Sequence, residues 1–290
     1  MKFDKNTKIM IVGLGLIGGS YAKALSDEGY FVGAIDKKKS SVEYALKSGL
    51  IQVGETSVKK DFVKDFDLIV FALYPHDFIN WIKEYQSSIK SGALITDVTG
   101  VKSFVVENVQ KILRGDLEFV GAHPMAGKEV SGVENADPKI FVGANYIVTP
   151  TKRNTDENVQ AVKDLGRALG FERISSLSPE EHDETVGFLS HLTHCIAVSL
   201  MVSKKSHHLA EYTGDSFRDL TRIAKINDEM WSELFLANKD ELLKQMDLFE
   251  EKFNQLKEDI KNDNREKIRE TLRESTARRK VFDKDAKETK

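Results

Sequence analysis

One stretch of the sequence puts a reactive side chain where an ordinary core would not. It is Glu118-Phe-Val-Gly-Ala-His-Pro-Met-Ala-Gly-Lys-Glu129. A short apolar run ends in His123-Pro124, so a titratable ring stands where a buried strand normally carries hydrocarbon. Pro124 cannot donate to a sheet ladder, and the strand stops there. Gly121, Ala122, Ala126 and Gly127 keep the surroundings small and leave room for a ligand. A neutral imidazole at such a rim can take a proton from a hydroxyl as hydride leaves the same molecule. A buried histidine bonded to backbone fits the same composition, so the residue types alone leave both readings open.

A second constellation lies at the start of the chain. Lys8-Ile-Met-Ile-Val-Gly13-Leu-Gly15-Leu16-Ile17-Gly18 matches G-x-G-x-x-G, follows an apolar strand and opens a helix. Gly13 suits the tight turn, Gly15 the approach of a pyrophosphate, and Gly18 close helix–strand packing. Leu16 and Ile17 begin the helix whose free N–H groups face the phosphates. The next strand ends at Asp36, about 20 residues on, where a carboxylate accepts from an adenosine ribose and repels a 2′-phosphate. The cofactor expected is therefore NAD rather than NADP, although Lys37, Lys38 and Lys39 partly offset that repulsion. Leu73, Tyr74 and Pro75 end a later strand, either as a simple turn or as cofactor contacts.

These residues need a scaffold, and the first half of the chain supplies its pattern. Apolar runs at Lys8–Val12, Phe31–Ile35, Asp67–Leu73, Ala93–Thr96 and Glu118–Ala122 predict strands. Tyr146–Thr149 and Phe171–Ser175 are two later ones. Helical patterns at Ile17–Glu28, Ser40–Ser48, Asp77–Ile89 and Val101–Leu113 alternate with them, which argues for βαβ units and a mostly parallel sheet. On this reading His123 ends a parallel strand, at the edge where open α/β sheets bind ligands. The character changes near Ser176. Ser178-Pro179-Glu180-Glu181 reads as a capping box with proline at the first helical position, and no convincing strand follows it.

The expected fold is an α/β N-terminal Rossmann-type dinucleotide-binding domain, residues 1–176, followed by an all-α C-terminal domain, residues 177–290. In the latter Leu242, Met246, Phe249, Phe253, Leu256 and Ile260 form a narrow heptad-like seam. It suits either a core-facing helix or one that packs across a dimer axis. Beyond Asn262 the chain is dense in charge and reads as a solvated helix fraying towards Lys290.

The 290 residues carry a net charge of −3, which gives no argument for nucleic acid or an anionic membrane. No apolar run approaches the roughly 20 residues that span a bilayer, and the start shows no signal-peptide pattern. With one cysteine, Cys195, neither a disulfide framework nor a multi-cysteine metal site is available. A cytoplasmic location is expected.

Gly-Ala-His-Pro-Met-Ala-Gly-Lys-Glu-Val-Ser-Gly-Val-Glu at 121–134, the glycine motif, Ser178-Pro-Glu-Glu-His-Asp183, Leu189-Ser-His-Leu-Thr-His194 and Phe217-Arg-Asp-Leu-Thr-Arg-Ile-Ala224 together resemble the prephenate dehydrogenase family. The resemblance runs in order along nearly the whole chain. It implies NAD(P)-dependent oxidative decarboxylation of prephenate to 4-hydroxyphenylpyruvate in tyrosine biosynthesis, by a homodimer formed largely through the helical domain. It places the catalytic histidine at His123 and the substrate-binding arginine at Arg222, whose planar fork suits a carboxylate. His191 and His194 take the positions of the helix histidines, and Glu129 and Asp219 those of acids near the arginine. His191 and His194 are three apart, but no further ligand stands at a zinc-motif spacing, so no metal is expected.

The chain departs from the family pattern at Asp97-Val98-Thr99-Gly100-Val101-Lys102. Gly100 stands at the position of a serine that helps to place the histidine and the substrate hydroxyl. Thr99, a water or a backbone N–H is expected to replace that hydrogen bond. Some family members carry an ACT-type regulatory domain or a fused chorismate mutase; the residues up to Lys290 show neither, so they give no argument for or against feedback by tyrosine. An arogenate or dual-specificity cyclohexadienyl dehydrogenase is the nearest alternative. A β-hydroxyacid dehydrogenase shares the two-domain plan but would need a helix lysine in a context missing here. A non-catalytic NAD-binding sensor would explain the glycine loop but not His123 with Arg222.

Overall fold

The computed structural model describes residues 1–205 and 208–282. Its first half alternates strand and helix: β1 Lys8–Val12, α1 Leu16–Asp27, β2 Phe31–Ile35, α2 Lys39–Lys47, β3 Val53–Glu55, α3 Lys60–Val63, β4 Leu68–Phe71, α4 Pro75–Tyr85, β5 Leu94–Asp97, α5 Ser103–Ile112 and β6 Glu118–Phe119. These six strands form one parallel sheet in the order β3-β2-β1-β4-β5-β6. That is the doubly wound order, whose reversal between β1 and β4 opens a ligand crevice at the carboxyl ends. Along β1, Ile9 and Ile11 enter one core and Met10 and Val12 the other. Side chains alternate across a strand, so a strand covered on both faces is apolar at every position.

The strand expected at Glu118–Ala122 is two strands in two sheets. Phe119 still pairs with β5, but Gly121–Pro124 forms β7. It lies antiparallel to β8 Asn145–Thr149, which in turn pairs with β9 Arg173–Ser176 in a small three-stranded sheet. The cause is Asp97 at the end of β5, whose side-chain Oδ1 accepts the Ala122 N–H at 3.0 Å. Side chain replaces backbone as the partner, the parallel ladder ends, and the chain is freed to pair elsewhere. His123 thus sits on an edge strand of an antiparallel pair, not at the end of a parallel one. It remains on the carboxyl side of the main sheet because Asp97 holds it there.

Helix α6 Asp156–Ala168 precedes β9, and every later described element is helical. Helix α7 Pro179–Val186 starts with the expected capping box: Ser178 accepts from the Glu181 N–H, and Glu181 accepts from the Ser178 N–H. Such a cap is worth about 1 kcal/mol. A π-helical turn, Gly187–Leu192, joins α7 to α8 Thr193–Val202. Together they make a continuous helix of 24 residues, long and apolar enough by length and composition alone to cross a membrane. That corrects the expectation of no such segment, which counted only the apolar run and not the helix extending it. Helices α9 Asp215–Thr221 and α10 Asp228–Ala237 follow.

The chain divides into two compact units, 1–239 and 240–290. The second holds nearly all of α11 Lys239–Lys261, together with α12 Arg265–Arg279. On α11, Met246, Phe249, Phe253 and Ile260 are exposed, and the rings of Phe249 and Phe253 stack at 5.9 Å. The expected fraying beyond residue 282 lies outside the described residues.

Candidate active site

The glycine turn has the geometry its pattern predicts. Gly13 adopts φ +98°, and a Cβ there would lie 2.4 Å from the Ala72 carbonyl oxygen. At Gly18 a Cβ would meet the Gly13 carbonyl oxygen at 1.9 Å, so neither position admits a side chain. Gly15 is different: nothing lies within 4 Å of the place its Cβ would occupy. It is also the N-cap of α1 and makes no side-chain cap, so no side chain at that position covers the first amides of the helix. Asp36 closes the other side. Its Oδ2 accepts from the Leu14 N–H at 2.6 Å and its Oδ1 from the Lys38 N–H at 2.7 Å. A carboxylate pinned this way keeps further lone pairs for a ribose. The site therefore fits a dinucleotide. Leu16 is buried and Ile17 partly buried at the helix start, and Leu73 lies over Gly13. Pro75 is the first residue of α4, with Tyr74 as its N-cap. The Tyr74 hydroxyl accepts from Asn227 Nδ2 at 3.3 Å, tying the strand end to the segment before α10.

His123 stands on β7 with its ring flanked by buried polar groups. Its Nδ1 lies 2.8 Å from His182 Nε2, and His182 Nδ1 lies 2.8 Å from Asp183 Oδ1. Burial, helped by the neighbouring His182, Lys102 and His191, pulls the His123 pKa well below its ordinary value. The ring is thus neutral at pH 7. Behind it, Lys102 Nζ donates to Asp97 Oδ2 at 2.6 Å and to Thr99 Oγ1 at 3.1 Å, with both charged side chains fully buried. Burial pulls the ammonium down while Asp97 pulls it up. Removing one partner of such a pair costs about 3–5 kcal/mol.

The Thr99 hydroxyl also contacts Asp97 and the Val101 carbonyl. It is thus engaged behind the site, and the ring nitrogen partner found for His123 is His182. A Cβ on Gly100 would lie 3.8 Å from His123 Cε1 and 3.5 Å from the Leu234 methyl groups. These are ordinary contact distances, so a Cβ is accommodated at this position beside the ring.

The long helix carries the remaining histidines. His191 lies in the π turn, a local widening common at functional sites. Asn238 Nδ2 donates to its Nδ1 at 3.2 Å, and burial lowers its pKa to about 4. His194 follows in α8 and stacks on Trp231 with centroids 3.7 Å apart. Its Nδ1 donates to the Ser190 carbonyl at 2.8 Å, leaving Nε2 as an acceptor. Its pKa is lowered, by burial first, with Arg222 adding to the fall. The Arg222 guanidinium pairs with Glu129, whereas Asp219 is exposed on α9. His123, His182, His191, His194, Arg222 and Glu129 thus come from four separate segments onto one side of the first unit.

Sequence reasoning gave no role to His182, Asp183, Asp97 or Lys102. The signals were present: a histidine–aspartate pair in the first turns of a capped helix, and an aspartate ending a strand five residues before a lysine. None of these indicates by itself which residues it will meet across the fold.

Residues 21–173 match the family model for the prephenate dehydrogenase nucleotide-binding domain, and residues 178–274 match that for the prephenate dehydrogenase dimerization domain. The prephenate dehydrogenase of Bacillus subtilis is 34% identical over 249 residues, covering 82% of this chain and 66% of the relative. That of Lactococcus lactis is 32% identical, covering 86% and 70%. Among solved structures, prephenate dehydrogenase from A. aeolicus in complex with hydroxyphenyl propionate and NAD+ superimposes with a TM-score of 0.87. It is 34% identical and covers 96% of this chain and 98% of that one. The chain belongs to the prephenate dehydrogenase family.

Proposed function

We propose that the chain catalyses the NAD-dependent oxidative decarboxylation of prephenate to 4-hydroxyphenylpyruvate. The observation that carries the reading is the neutral His123 ring beside Gly100, on the carboxyl side of the sheet that bears the glycine turn. Gly13, Gly15, Gly18, Leu16, Ile17 and Asp36 would hold the dinucleotide, with Leu73, Tyr74 and Pro75 along its crevice. When bound, NAD accepts the hydride from the ring carbon that bears the hydroxyl. His123 takes the hydroxyl proton at Nε2, the ring nitrogen not engaged by His182. Arg222 exchanges Glu129 for a substrate carboxylate, and His191 and His194 line the same side. The carbonyl that forms draws electrons from the bond to the ring carboxylate, carbon dioxide leaves, the ring becomes aromatic, and the phenolate oxygen takes the proton back from His123. The chain therefore supplies mainly positioning and one base.

Residues 1–176 are read as the NAD domain and 177–290 as the substrate-binding and dimerisation domain of a cytoplasmic homodimer. The exposed apolar row on α11 and the described role of the matching family domain support the dimer. NAD reduction measured with prephenate and with arogenate side by side tests the function. Faster reduction with prephenate is expected; reduction with arogenate alone transfers the reading to the amino substrate, and none with either removes it.

A further inference from the structure

We propose that His182 and Asp183 are positioning residues that fix the tautomer of His123, so that its Nε2 lone pair is the one presented to substrate. The inference rests on His123 being the base of the reaction above, and it adds how that base is prepared.

The argument starts at Asp183. Its Oδ1 accepts the Lys102 N–H at 2.8 Å and its Oδ2 the Ser103 N–H at 2.7 Å. Those amides open α5, so the carboxylate sits at the positive end of a helix. Burial alone would raise its pKa, but the His182 hydrogen bond and these two donors outweigh burial and hold it below the ordinary carboxylate value. An ionised carboxylate only accepts. His182 Nδ1, 2.8 Å from Oδ1, must therefore carry a proton.

His182 is fully buried, and burial keeps its pKa low although Asp183 pushes it up. It is neutral, so its Nε2 has no proton and accepts. His123 Nδ1, 2.8 Å away, must be the donor. One proton per neutral ring is then assigned, and His123 Nε2 is bare. The opposite direction would set the His182 Nδ1 lone pair against an ionised carboxylate.

The other charged and titratable groups facing the rings leave this order intact. Lys102 is committed to Asp97 and Thr99, and His191 Nδ1 accepts from Asn238. When the proton of the hydroxyl oxygen moves to His123 Nε2, the ring becomes an imidazolium. Its Nδ1–H then points through His182 at the Asp183 carboxylate. No proton need pass along the chain; the carboxylate orients the rings and stabilises the charge, as the aspartate does in hydrolase triads.

The test reads the tautomer directly and then its consequence. Nitrogen NMR of histidine-labelled full-length protein reports which ring nitrogen carries hydrogen. The signals are assigned by their loss in His123→Asn and His182→Gln. In wild type both rings are expected as the Nδ1–H form, the minor tautomer of free histidine. His182→Phe removes the acceptor and is expected to move His123 to the Nε2–H form. It should lower kcat with prephenate about 10²-fold or more, with little change in KM and with NAD binding retained. His182→Gln keeps a carboxamide oxygen that can accept from Nδ1–H and is expected to restore part of kcat. A wild-type His123 in the Nε2–H form overturns the proposal whatever the kinetics, including the case in which His182→Phe does not fold. Equal losses in the Phe and Gln variants, with His123 unchanged in tautomer, overturn it as well. A wild type that shows the Nδ1–H signature but reduces no NAD with prephenate supports the ring arrangement and removes the assigned reaction instead.

Discussion

Lowering the pH from about 7 to about 5 is expected to remove about 2 kcal/mol of folding stability through His191 alone. Burial holds its folded pKa at about 4. Trp231 and Phe235 pack edge-on to the ring, and its Nδ1 already accepts from Asn238, so a proton there displaces a hydrogen bond. In the unfolded chain the same ring titrates near about 6.5. As pH falls through that value the unfolded state binds a proton that the folded state refuses, so stability falls with pH. The loss is complete once the folded ring also protonates, below about pH 4, and then reaches about 3 kcal/mol. Urea unfolding at both pH values, on wild type and on His191→Asn, measures it. His123, His182 and His194 also have lowered values, so the variant still weakens in acid, but by about 2 kcal/mol less than wild type. An equal acid loss in the two proteins would mean that His191 is not held neutral by its surroundings.

Two substitutions at the site are expected to fail differently. His123→Asn should lower kcat about 10²–10⁴-fold with little change in KM, and a near-normal kcat would make the histidine structural. Arg222→Ala should mainly raise KM for prephenate, by roughly 10- to 150-fold for the loss of a charged hydrogen bond; an unchanged KM would place the carboxylate elsewhere. Asp36→Asn should weaken NAD binding and raise the relative use of NADP, and unaltered NAD affinity in titrations would remove Asp36 from the ribose. Light scattering at micromolar concentration should return the mass of a dimer, and a monomer mass would leave the α11 apolar row without its partner.

The parts of this protein legible in its sequence are those set by local chemistry. The glycine turn and the capping box at Ser178 each follow from a few neighbouring residues and take their expected form, and Asp36 stands directly after β2, where its carboxylate also accepts from the Leu14 N–H. Strand β3 escaped because it has only three residues, all half-buried and the middle one a glycine, too few to show a period. The division of 118–124 between two sheets was hidden for another reason. Nothing in that stretch shows that Asp97 will take the Ala122 amide and end the ladder. The π turn at Gly187–Leu192 likewise leaves the apolar pattern helical. The proposed base, His123, stood out by its oddity in a strand. The pair behind it was not, since a histidine and an aspartate on a helix surface look the same from sequence whether they face water or another ring.

The hydrogen bonds around His123 span long stretches of chain. His182 is 59 residues from it, and Asp183 reaches amides 80 and 81 residues back. Closing loops of that length carries an entropic cost that nearby contacts must offset before these bonds can form. The Asp36 carboxylate, by contrast, meets the Leu14 N–H only 22 residues away, inside the first βαβ unit. That end of the crevice closes a shorter loop, at lower entropic cost, than the bonds around His123. If His123 is the base, its alignment is the later of the two events in a folding chain.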